Sequence, residues 1–128
     1  MMECIDEILR LKKERQEADK KLALFQVPIL SDRSYIPKVL EILKENIDSR
    51  NSRYVFLFVI LLLYDPGFFV DGRVMYGLRK DIAKCLGVKS ESAISNQCSG
   101  IIFMYGHYED FRKDVERAYE AVTSHILT

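Results

Sequence analysis

The residues best suited to chemistry in this 128-residue chain are a polar group at positions 92–97 and a basic group shortly before it. Asparagine and glutamine make paired hydrogen bonds to adenine, and serine hydroxyls contact either phosphates or bases. Lysine and arginine hold phosphates electrostatically. The polar members are Ser92, Ser95, Asn96 and Gln97, and the basic members are Arg79, Lys80, Lys84 and Lys89. Together they predict contacts with the bases and the backbone of double-stranded DNA.

The elements that must position these side chains are two short helices within residues 78–104. Gly87 marks the turn between them, because glycine adopts positive φ without steric cost. Ala83 is small where the second helix would cross the first, and Val88 and Ile94 would close the apolar corner. The string IAKCLGV followed by AIS resembles the helix-turn-helix superfamily of DNA-binding proteins, with a turn one residue longer than the usual pattern.

That resemblance implies a role for each helix. The helix at 78–86 would support the second helix, and residues 90–99 would enter the major groove. One short helix binds weakly, so two copies would be needed to provide affinity and register. The function implied is a small non-enzymatic DNA-binding protein, such as a transcriptional regulator or a protein of a phage or mobile element.

The charge distribution bears on this hypothesis in both directions. The chain holds 19 basic and 19 acidic residues, whereas a sequence-independent nucleic-acid binder is usually basic overall. Residues 73–104 nevertheless carry five bases against two acids, so any attraction to phosphates must be local. Glu91 would repel phosphate. The alternative function is a protein–protein interaction or assembly module with no nucleic-acid role.

Residues 1–26 form a separate unit before the break at Pro28. They hold no glycine or proline and are rich in good helix formers. Apolar residues recur at spacings of three and four over residues 4–25, as in a heptad seam, and Arg15 interrupts it. Two alternatives remain open at this point. The helix protrudes and pairs with a second copy or with a partner helix, or it packs on its own domain.

The rest of the chain, residues 34–128, is predicted to be one helical domain, so that the whole protein is all-α with about six helices. Periodicity predicts helices over 35–48 and 108–126. The apolar run at 54–64 predicts a centrally buried helix, and Ile101–Tyr105 is expected in the core. The Asp71-Gly72 pair between apolar triplets also indicates a short hairpin at 68–75, with an irregular loop as the alternative because two three-residue strands are marginally stable.

Several function classes lack support in the sequence. No nucleophile elbow, phosphate-binding loop or zinc motif occurs, so no catalytic residue, metal or cofactor is predicted. Cys4, Cys85 and Cys98 have no paired spacing and are expected to be reduced thiols, the last two partly buried. No signal peptide or membrane span is apparent, which predicts a cytoplasmic protein without membrane contact.

Overall fold

The computed structural model describes residues 1–47 and 51–127, and these residues form helices and connections with no strand. The all-α class predicted from the sequence is confirmed. The α-helices of this part of the chain are α1 (Met2–Phe25), α2 (Ile36–Asn46), α3 (Ser52–Tyr64), α4 (Phe68–Asp71), α5 (Leu78–Leu86), α6 (Glu91–Cys98), α7 (Ile101–His107) and α8 (Glu109–Ile126). A 3₁₀ turn at Arg33–Tyr35 precedes α2. The predicted ends at positions 48 and 128 lie outside the described residues.

Helix α3 is the centre of the core. Its sequence is apolar on every face, and nine of its residues are buried. It packs against α2 and α8 and also touches α6 and α7, so it supports the helices that carry the candidate site. Helix α8 buries Phe111, Val115, Ala118 and Val122, which recur at helical spacing. Within the described residues, no helix combines the length and the apolar character that a bilayer crossing requires.

Helix α1 protrudes from the domain. All of its 24 residues are exposed and none is buried. Its side chains bond to one another: Arg10 pairs with Glu7 and, at 2.8 Å, with Glu14. Such exposed pairs one turn apart stabilise an isolated helix only slightly. The expectation of a protruding helix is therefore confirmed, and the alternative in which α1 packs on its own domain is wrong.

The connection from α1 to α2 is fixed to the domain surface. The backbone N–H groups of Ile29 and Leu30 both donate to the carbonyl of Leu63, each at 2.9 Å. The Tyr64 hydroxyl donates to the carbonyl of Asp32 at 2.6 Å. Arg33 then donates from Nη1 to Oδ2 of Asp81, at 2.9 Å, on α5. The segment that follows α1 is thus held in place by the C-terminal end of α3.

The predicted hairpin at 68–75 is wrong. Residues 68–71 instead form the single-turn helix α4, and Phe68 is buried in the core. A two-residue hairpin turn of the Asp-Gly type needs positive φ at both central residues. Only Gly72 has it, at 74°, because Asp71 is the last residue of the helix. The segment after Gly72 is tied to the end of α3 by a hydrogen bond, in which the Met75 N–H donates to Oδ2 of Asp65 at 2.6 Å.

The region predicted as one helix from 90 to 104 is divided. Ser99 and Gly100 separate α6 from α7. The expectation that residues 101–105 lie in the core is wrong for two of them, since Ile102 and Phe103 are 45% and 56% exposed. The reason is that α7 is a short helix whose contacts are with α3 and α8, so one face alone is covered.

Candidate nucleic-acid interface

The turn at Gly87 fixes the relation between α5 and α6. Gly87 has φ of 71°, and its N–H donates to the Lys84 carbonyl at 3.3 Å. The Val88 N–H donates to the Ala83 carbonyl at 2.9 Å, which completes the paired bonds of a Schellman motif. Ile82, Ala83 and Ile94 are buried where the two helices meet. The predicted pair of helices is therefore present, and residues 87–90 connect α5 to α6.

One face of α6 is polar and open to solvent. Ser92, Asn96 and the following Ser99 are exposed at successive spacings of four and three. They lie opposite Ile94 and Cys98, which are buried. This face offers hydroxyl and amide groups, both of which can donate and accept hydrogen bonds.

The first turn of α6 differs from the usual capped helix. Ser90 occupies the N-cap position with extended backbone, but its side chain does not bond to the helix backbone. Its Oγ lies 2.6 Å from Oγ of Ser92 instead. Glu91 is exposed beside this pair, so the helix dipole already has an acidic partner.

Gln97 does not share the exposed face as predicted. Its Oε1 is buried and has no hydrogen-bond partner among the described residues. It lines a shallow groove of about 590 Å³ together with Tyr54, Asn96, Phe103 and Tyr108. Asn96 is exposed and Gln97 is half-buried, so Asn96 is the amide that α6 presents to solvent.

The predicted basic residues divide into groups. Arg79 donates from Nη1 to Oγ of Ser95 at 2.5 Å, which links the start of α5 to the middle of α6. Lys80 and Lys84 are exposed one turn apart on α5. Lys84 borders a cleft of about 410 Å³ on the side where Arg33 pairs with Asp81. Lys89 is exposed in the turn.

Two arginines that sequence reasoning left out of the site also lie here. Arg73 shares a cleft with Arg79 and Ser95, and its place in the basic block at 73–104 was an available signal. Arg33 bonds to Asp81 of α5, which is 48 residues away in sequence, and no local sequence pattern predicts that contact.

The cysteines are all free thiols in different surroundings. Cys4 is exposed on α1, Cys85 is half-buried on α5, and Cys98 is buried on α6. Burial raises the pKa of the Cys98 thiol from 9.0 to about 11, although the nearby Arg79 opposes the shift. Burial also raises the pKa of Cys85. Such thiols stay protonated at neutral pH, which does not suit a nucleophile.

Residues 1–47 and 51–127 contain no candidate metal site, because no group of three or more histidine, cysteine, aspartate or glutamate side chains is placed to bind one ion. Comparisons with known protein families, curated proteins and solved structures find no match to this chain.

Proposed function

We propose that this chain is a small DNA-binding protein of the helix-turn-helix type that places residues 90–99, which include α6, in the major groove. The observation that carries the proposal is the uncovered polar face formed by Ser92, Asn96 and Ser99. The Schellman turn at Gly87 and the buried Ile94 hold that face in a fixed orientation. A preorganised helix loses little conformational freedom on binding.

Asn96 supplies sequence preference under this proposal. An asparagine amide makes paired hydrogen bonds to the N6 and N7 edge of adenine. Ser92 lies one turn before Asn96 and suits phosphates or other base edges, and Ser99, whose proton goes to the Asn96 carbonyl, would accept hydrogen bonds from base edges. Exposed bases on α5 and in the turn, Lys80, Lys84 and Lys89, would contact the flanking phosphates.

A single copy would bind weakly, because α6 itself contains no lysine or arginine. Two copies joined through α1 would place two α6 helices on successive half-sites. The complete exposure of α1, which includes Ile8 and Leu11 at 57% and 50%, supports pairing through this helix. Burying such side chains against a second copy would stabilise the pair by about 1.5–3 kcal/mol per fully buried residue.

The test is fluorescence anisotropy with a random duplex at two salt concentrations. We expect affinity to fall steeply with salt, because phosphate binding releases counterions. Lys84→Glu with Lys89→Glu should abolish binding. The matched control is Lys113→Glu with Arg117→Glu, which changes the net charge equally but lies on α8. Equal affinity in the two double variants would show that the basic groups beside α6 are not the contact.

The second candidate function is an assembly module without nucleic-acid binding, and the observation that favours it is also the exposed α1. A balanced net charge of zero fits this role as well. The anisotropy titration with duplex DNA, together with light scattering, distinguishes the two functions. An assembly module would show oligomers by light scattering but no salt-dependent affinity for duplex DNA.

A further inference from the structure

We propose that the cleft between the 72–74 segment and the C-terminal half of α6 is a binding site for one phosphate group. The cleft has a volume of about 300 Å³. Arg73, Arg79, Ser95 and Ser99 line it, Arg79 bonds to Ser95 within it, and the buried Phe68 and Cys98 form its apolar floor. The inference deepens the proposed function if the phosphate belongs to DNA, and it stands alone if the phosphate belongs to a small ligand.

The charges of the cleft favour an anion. Two arginines line it, and no acidic residue does so among the described residues. None of the ion pairs in the described part of the chain includes Arg73, and its backbone N–H donates to Oδ1 of Asp71 at 2.9 Å. Guanidinium groups bind phosphate oxygens through two parallel hydrogen bonds, which gives arginine its preference for phosphate.

Ser95 is set up as a further donor. Its Oγ accepts a hydrogen bond from Nη1 of Arg79, so its own proton remains available for a phosphate oxygen. The other hydroxyl differs, because Ser99 already donates to the carbonyl of Asn96 at 2.7 Å. Arg73, Arg79 and Ser95 are therefore the groups that would hold the anion, and Ser99 only borders it.

The floor of the cleft strengthens these contacts. Phe68 and Cys98 are 4% and 1% exposed, so the floor is apolar and nearly closed to solvent. A charge-assisted hydrogen bond gains strength where the local dielectric constant is low. The Cys98 thiol carries no negative charge at neutral pH, since its pKa is about 11. Nothing in the floor therefore opposes an anion.

The first arm of the test titrates the full chain with inorganic phosphate, followed by the backbone amide signals of residues 73–74 and 95–99. Sodium chloride at matched ionic strength is the reference. We expect saturable shifts with phosphate only. Arg73→Gln and Arg79→Gln should each weaken binding about tenfold, because each removes charge-assisted hydrogen bonds. Arg117→Gln, exposed on α8, should bind as the unaltered chain does.

The second arm identifies the source of the phosphate with a duplex. Weaker duplex binding by Arg73→Gln than by Arg117→Gln would assign the site to the DNA backbone. Phosphate binding that depends on Arg73 without any duplex affinity would keep the site, assign it to a phosphorylated small ligand, and reject the proposed function. Shifts that are absent, or equal in Arg73→Gln, Arg79→Gln and Arg117→Gln, would overturn the inference. Arg73 makes no side-chain contact that the fold needs, so Arg73→Gln also keeps the test valid if Arg79→Gln unfolds.

Discussion

Gly87 is the residue on which the candidate interface most depends. Its φ of 71° lies in the left-handed region, and a Cβ built there would meet no atom within 4 Å. Any cost of Gly87→Ala therefore comes from the backbone alone, and we expect a loss of about 1–2 kcal/mol in the free energy of unfolding. Urea denaturation measures it.

Gly100 provides the matched control for that prediction. A Cβ there also has open space, but its φ is −100° and suits any residue. Gly100→Ala should be neutral or stabilise by about 0.4–1 kcal/mol, because alanine restricts the unfolded chain. Equal destabilisation by the two alanines would mean that the turn at Gly87 is not the strained position.

The three thiols should react at very different rates with a disulfide reagent at pH 8. Cys4 is exposed and should react first, at the rate of a thiol in an unfolded chain. Cys98 is buried with a pKa of about 11, so it has less thiolate and no access to the reagent. Absorbance should show one fast equivalent, which Cys4→Ser removes. The Cys98 thiol should appear only on adding denaturant. Fast labelling of Cys98 would contradict the packing of α6.

At the scale of elements, α1 should contribute to association and not to the stability of the domain. Ile8→Gln with Leu11→Gln should leave monomer unfolding within about 0.5 kcal/mol, because neither side chain is buried. The same change should lower the solution mass at a concentration where the unaltered chain pairs. Lys13→Gln with Lys20→Gln, off the apolar seam, should change neither property. A loss of domain stability on changing Ile8 and Leu11 would show that α1 packs on its own domain after all.

The elements predicted best are those whose sequence has a long, unambiguous period. Helix α8 and the buried α3 followed from the apolar pattern alone, and so did the helical state of α1, whereas the protrusion of α1 was one of two open alternatives. The hairpin failed because Asp71 is compatible with both a turn and a helix end, and packing of Phe68 decided between them. The exposure of Phe103 was equally unpredictable, since it depends on which neighbours reach α7.

The candidate site divides in the same way between local and distant causes. Gly87 and the apolar corner are local features, and the sequence predicted them. The turning of Gln97 Oε1 into the protein depends on α7, which begins after a helix break at Gly100 that the pattern did not reveal. The bond from Arg33 to Asp81 spans 48 residues and exists only in the folded chain.

At the scale of the whole molecule, Tyr64 joins the core to the segment that carries α1. Its ring is buried at the end of α3, and its hydroxyl donates to the Asp32 carbonyl at 2.6 Å. Burial raises its pKa from 10.0 to about 12, and the nearby Asp32 carboxylate adds to the shift. The folded state therefore favours the neutral phenol, as it favours the neutral thiol of Cys98.

These two shifts predict how stability depends on alkaline pH. Both groups have a raised pKa in the folded state, so their contribution is complete below pH 9 and is lost as pH rises through the range of about 9 to 12. Tyr64→Phe should lower stability by about 1 kcal/mol at pH 7, since it removes one hydrogen bond. The free energy of unfolding of Tyr64→Phe should also fall less steeply above pH 10 than that of the unaltered chain, because the variant has no phenol to ionise at this position. Tyr76→Phe is the control, because Tyr76 is 99% exposed, and it should follow the unaltered chain. Denaturant unfolding between pH 7 and 11 measures all three, and parallel curves for the two variants would show that Tyr64 ionises freely in the folded protein.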